Sequence, residues 1–310
     1  MRIYISDLTV GLIKNINAKS NDFFPNVLYP YTHLGSENSN NELFRLLDNK
    51  EIYFSLMVDS GMYVINRMEE EKNIKFDYDN GFIRYCDFIE NEKDNIDFYI
   101  NYDSCFDSDY AKEINSKRQE EMEKIGLKPI YVMHSCSAEE VQYVQERDFK
   151  YVAMSSAILN KQGKFNFAND IIEIFYRQGR KVHLLGCASY LKLSQTYAWS
   201  CDASSYGRWA GLQKVIFYSE REKKEVTLSL SRLNSKNIEN NDYYCSLKMK
   251  SRRAEYEDFI YPTLGYLMED IAGDETGCNL IQANAYYMYT LEKKITEIQK
   301  NILGIDFDVW

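Results

Sequence analysis

The chain of 310 residues is 45% hydrophobic and 27% charged, with 4 Pro and 14 Gly. This excludes disordered, collagen-like and repeat architectures and allows two ordinary domains or one large α/β barrel with extensions. With 47 acidic against 37 basic residues the formal charge is -10, so any contact with a polyanion has to be made by a local basic patch.

The 7 cysteines include no C-x-x-C pair and read as reduced intracellular thiols rather than a disulfide framework. Met1-Arg2-Ile3-Tyr4-Ile5-Ser6-Asp7 meets charge too early for a signal-peptide apolar region, and no later run resembles a membrane span. A soluble, cytoplasmic protein with no membrane partner is expected.

In chain order, Ile3-Tyr4-Ile5 reads as a first strand, and residues 32–42 as a polar loop without period. The run 52–58 is β-rich and stops at Asp59-Ser60-Gly61; the run 96–102 stops at Asp103-Ser104. A charged helical pattern over 109–125 leads to a strand at 129–133, which stops at His134-Ser135. A helix over 137–147 precedes a strand at 151–154 before Ser155-Ser156, and a helix over 169–177 precedes a strand at 181–185 before Gly186. A helix over 188–195 is followed by a strand at 198–201 before Asp202, and Val215-Ile216-Phe217-Tyr218 reads as a further strand. The total is about eight, the barrel number.

Strand and helix alternating in this way imply parallel pairing through right-handed crossovers. The expected fold is α/β: a (β/α)8 TIM-type barrel over residues 1–220. A C-terminal helical extension over 221–310 packs on it, with a helix over 284–302 and no zinc subdomain. A polar residue ends each strand, so Asp59, Asp103, His134, Ser155 and Asp202 are expected on one mouth.

Asp-Ser-Gly alone is a turn signal. Three aspartates on one rim favour a site, because crowded carboxylates repel and burial penalises their charge. Of His134 and His183, one reads as a pocket wall and the other as a satisfied core imidazole. Neither a dinucleotide fingerprint nor a phosphate loop is present, and no cofactor is expected.

Four motifs, Val58-Asp59-Ser60-Gly61-Met62, Tyr102-Asp103-Ser104-Cys105, Val182-His183-Leu184-Leu185-Gly186 and Trp199-Ser200-Cys201-Asp202-Ala203-Ser204-Ser205, resemble in order and interval the guanine transglycosylase superfamily. Its members include the tRNA-guanine transglycosylases of queuosine and archaeosine synthesis and relatives, some phage-encoded, that place 7-deazaguanines in DNA. The resemblance spans roughly residues 52–212, with a weaker echo over 284–299, and is nearest the zinc-less DNA and phage branch. No C-x-C-x-x-C with a later His follows Asp202, so no metal is expected.

The resemblance implies a pentosyltransferase that replaces guanine in nucleic acid, DNA in preference to tRNA, by a 7-deazaguanine base. Asp202 would be the nucleophile, Asp59 the proton carrier and Asp103 the acceptor for a guanine-like edge. Ser60, Gly61, His134, Ser155, Ser156 and Gly186 would shape the base pocket. Arg208, Lys248, Lys250, Arg252 and Arg253 are the candidate nucleic-acid contacts. Two alternatives stay open: an N-glycoside hydrolase of a nucleoside or nucleic acid on the same barrel, in which water replaces the incoming base, and a non-catalytic binding subunit.

Overall fold

The computed structural model describes residues 1–31, 41–72, 75–104, 110–155, 158–159, 164–230 and 246–305. Most of the expected polar loop at 32–42, together with Cys105, Ser156 and Cys245, lies outside them.

The barrel half of the chain runs β1 (Arg2–Ser6), α1 (Val10–Asn17), β2 (Asn26–Pro30), α2 (Asn41–Leu47), β3 (Ser55–Asp59), α3 (Met62–Lys72), α4 (Tyr78–Glu92), β4 (Phe98–Tyr99) and α5 (Ala111–Lys124). It continues with β5 (Tyr131–Met133), α6 (Ala138–Glu146), β6 (Tyr151–Met154), α7 (Lys164–Arg177), β7 (Lys181–Leu184), α8 (Tyr190–Leu193) and β8 (Ser200–Ala203). After β8 come α9 (Ser205–Gly211), β9 (Lys214–Ser219), β10 (Lys224–Ser229), α10 (Leu247–Leu264), α11 (Met268–Ala272) and α12 (Cys278–Ile298).

The first eight strands form one sheet in the order β4-β3-β2-β1-β8-β7-β6-β5, and every registered pair is parallel. Its two edges meet at a parallel bridge between Ile100 and Ile130, where Asn101 N donates to Ile130 O and Ile130 N to Tyr99 O. The fold is therefore a (β/α)8 TIM-type barrel, as the strand-helix alternation predicts.

Alternation along each strand separates two cores. Tyr4, Leu28, Met57, Ile100, Val132 and Ala153 cluster inside the barrel. Ile3, Ile5, Val27, Leu56, Val58, Val182 and Cys201 belong to the larger core that includes Ile13, Tyr85, Val144 and Phe175 of the surrounding helices. Positions two residues on from the inward set, Ser6, Asp59, His134 and Ser155, consequently reach the mouth at the C-terminal strand ends.

One expected strand is reassigned. Val215-Ile216-Phe217-Tyr218 lies in β9, which pairs antiparallel with β10 in a separate hairpin, and the barrel place goes to Asn26–Pro30. Proline at 25 and 30 leaves only Val27-Leu28-Tyr29 as a β-like run, too short to signal a strand by composition.

The segment after β9 returns to the barrel. Glu292 on α12 accepts hydrogen bonds from Ile3 N at 2.6 Å and Asn26 Nδ2 at 2.8 Å, and Asn284 receives Ile216 N at 3.1 Å. The helix expected over 284–302 begins at Cys278 and ends at Ile298, followed by a π-helical turn over 299–303. No helix among the described residues is long and apolar enough to cross a membrane.

Candidate active site

Asp202 follows Ser200 on the inward face of β8, and two donors and one imidazole nitrogen converge on its carboxyl group. Ser6 Oγ gives to Oδ2 at 2.8 Å, and Gly186 N gives to Oδ1 at 2.8 Å. His183 Nε2 stands 3.3 Å from Oδ1.

Asp59 ends β3 at the turn Ser60-Gly61. Burial pushes its carboxyl up to about 8, with the charges of Asp103 and Asp202 adding to the effect and the Gly61 and Ser60 backbone N–H groups opposing it. The turn needs glycine: Gly61 has φ +74, and a Cβ there would lie 2.4 Å from Tyr31 O. Burial and the neighbouring like charges thus favour the protonated form of Asp59.

Asp103, 5% exposed, has one hydrogen-bond donor and one imidazole nitrogen close to its carboxyl. Ser60 Oγ donates to Oδ1 at 2.8 Å, and His134 Nε2 lies 3.3 Å from Oδ2. Ser155 is 4% exposed, and its Oγ finds no hydrogen-bond partner among the described residues, which leaves a buried hydroxyl available to a bound molecule.

Asp59 is therefore within electrostatic reach of Asp103 and Asp202, and Asp103 is tied to Ser60. Asp202 also lines a cavity of about 370 Å³, with Gly186, Ser204, Ser205, Arg208, Trp209 and Glu225. Arg208 is exposed and has no acidic partner among the described residues.

The other basic candidates are placed differently. Lys248 and Arg252 line a separate cleft with Arg221 and Glu222. Arg252 Nη2 binds Glu222 Oε2 at 2.7 Å, and its Nε binds Glu222 Oε1. Arg253 pairs with Glu257 and Glu269. Lys250 is exposed on α10. No group of three or more His, Cys, Asp and Glu among the described residues is arranged to hold a metal ion.

Several site residues escaped the sequence reading. Glu140, 1% exposed, accepts from His134 N at 3.1 Å, Ser135 N at 2.7 Å, Ser135 Oγ at 2.7 Å and Tyr131 Oη at 3.1 Å. It fixes the loop that carries His134. Its signal was the Ser137-Ala138-Glu139-Glu140 capping-box spacing, since Ser137 Oγ caps α6 by accepting Glu140 N at 3.2 Å. Ser6 was legible only through strand alternation, which places it on the face shared with Asp202, whereas His183 was already a candidate and stands beside that carboxyl. Compared with known proteins, the chain matches no family model and no curated sequence.

Proposed function

We propose that the protein is a base-exchange transglycosylase that replaces guanine in nucleic acid by a 7-deazaguanine through a glycosyl-aspartate intermediate. The observation that carries the reading is the contrast between Asp59, whose carboxyl is raised to about 8, and Asp202, whose carboxyl group faces two donors and one imidazole nitrogen.

In the first displacement, an Asp202 oxygen forms a bond to the anomeric carbon as the bond from that carbon to the base nitrogen breaks. The electron pair stays on the departing base, which takes the Asp59 proton. In the second, the carboxylate of Asp59 removes a proton from the incoming base. The base nitrogen then attacks the anomeric carbon and Asp202 leaves as carboxylate. Two inversions retain configuration at the sugar, the logic of retaining glycosidases. Asp103 accepts hydrogen bonds from the donor edge of the base, and the Ser155 hydroxyl supplies a further polar contact. The sequence motifs, nearest the zinc-less branch, favour DNA over tRNA.

Incubation with guanine-containing duplex DNA or tRNA and a labelled 7-deazaguanine tests the proposal. Label is expected to enter the polymer, and a denaturation-stable adduct is expected with the wild type but not with Asp202→Ala. Full exchange by Asp202→Asn would overturn the assignment. Release of free base without uptake of label identifies a hydrolase instead.

A further inference from the structure

His183 is fully buried inside the barrel, and the Tyr4 ring meets it edge-on with centroids 5.9 Å apart. Its Nδ1 lies 2.7 Å from Ser200 Oγ, which lies 2.6 Å from Tyr151 Oη. With Nε2 at 3.3 Å from Asp202 Oδ1, a continuous chain runs from Tyr151 through Ser200 and His183 to Asp202.

With one proton on the His183 ring, one sense of this chain satisfies every atom. Ser6 Oγ and Gly186 N already donate to Asp202, so a carboxylate there requires a hydrogen on His183 Nε2. A neutral imidazole then presents Nδ1 as acceptor, Ser200 must donate to it, and Ser200 Oγ receives the Tyr151 hydroxyl. Burial holds that hydroxyl well above the ordinary phenol range, so it keeps its proton.

The two oxygens of Asp202 are consequently unequal. Among the described residues, Oδ1 takes two donors, Gly186 N and His183 Nε2, while Oδ2 takes Ser6 Oγ alone. Each carboxylate oxygen offers about two acceptor directions. Oδ1 is filled and Oδ2 keeps one open.

We propose that His183 is the positioning residue of the nucleophile: the chain from Tyr151 through Ser200 fixes its Nε2–H tautomer, which anchors Asp202 Oδ1 and leaves Oδ2 as the attacking oxygen. This rests on the glycosyl-transfer reading above. It adds a residue that touches neither base nor sugar and acts only through Asp202.

The first test needs no turnover. In wild-type protein labelled with 15N-histidine, the His183 signals, assigned by their loss in His183→Gln, are expected to show a protonated Nε2 and a bare Nδ1. Asp202→Asn should shift Nε2 and Ser200→Ala should shift Nδ1. A protonated Nδ1 with bare Nε2, or an Nε2 signal indifferent to Asp202→Asn, overturns the proposal.

Kinetics supply the second test. His183→Phe, which keeps a ring and loses the donor, should slow adduct formation about 100-fold, the scale of a misplaced reacting group. Its KM should stay within about twofold. His183→Gln, whose side-chain amide restores a donor, should recover most of the rate. A wild-type rate for Phe, or Gln as slow as Phe, overturns the proposal. If the wild type exchanges no base in any guanine-containing polymer, the function fails, while the histidine spectrum still decides the tautomer.

Discussion

Ser60 Oγ and Asp103 Oδ1 are 2.8 Å apart, so the turn that follows Asp59 is bonded directly to the carboxylate whose charge helps raise the Asp59 pKa. Ser60→Ala removes a donor from a buried anion. It should lower unfolding free energy by roughly 1–3 kcal/mol, measured by urea denaturation, and raise KM for the base as Asp103 loses its fixed orientation.

In the proposed mechanism the acid form of Asp59 delivers the proton, so adduct formation should decline above about pH 8, and Asp59→Asn should abolish that alkaline limb together with most of the rate. Its folded pKa lies above its ordinary value of 3.8, so the folded state holds a proton that the unfolded chain releases between these values. The corresponding stability is full below the ordinary value and is lost as pH rises through the folded one. Asp59→Asn should therefore melt a few degrees higher than wild type at pH 8, and the difference should vanish near pH 4.

Glu140 serves four donors around His134. Glu140→Ala leaves them without their acceptor in a buried setting and should destabilise the protein by about 3 kcal/mol. Glu140→Gln keeps the volume but loses the charge, and it should raise KM for the base more than it lowers kcat. Equal kcat and KM for Glu140→Gln and wild type would detach this loop from the site.

Polynucleotide binding should separate the basic residues. Arg208 lies in the cavity with Asp202, whereas Arg252 is engaged by Glu222. Arg208→Ala should weaken binding and reduce the slope of log affinity against log salt by about one. Arg252→Ala should leave that slope unchanged and instead lower thermal stability. Filter binding across a salt series measures the first, and a melting curve the second.

Much of the fold was legible because the barrel strands end in a polar residue after a short apolar run, a pattern visible at Asp59, His134, Ser155 and Asp202. The pattern cannot distinguish a barrel strand from a hairpin strand, since Val215-Ile216-Phe217-Tyr218 satisfies it as well as Tyr151-Val152-Ala153-Met154 does. Partner choice is decided by long-range packing, here of α12 against β1 and β9. The aspartates could be read from position, as could Ser60 and Gly186, which donate to them, but Ser6 and Glu140 could not. His183 stands within an apolar run and resembles core, and only the register of β7 against β8, with His183 opposite Ser200, shows that it turns inward. Lys248, Arg252 and Arg253 resembled a free basic patch because their acidic partners lie elsewhere in the sequence or on the next helical turn.

The hydrogen bond from Ile3 N to Glu292 also bears on how the polypeptide is made. While it emerges from a ribosome, the first strand lacks both β8, its lateral neighbour, and the carboxylate that receives its amide. Pairing with β8 must wait for roughly two hundred further residues, and the bond to Glu292 for nearly three hundred. Until then the nascent N-terminal segment exposes an unpaired edge, so its maturation should depend more on chaperone shielding than that of a protein built from local contacts.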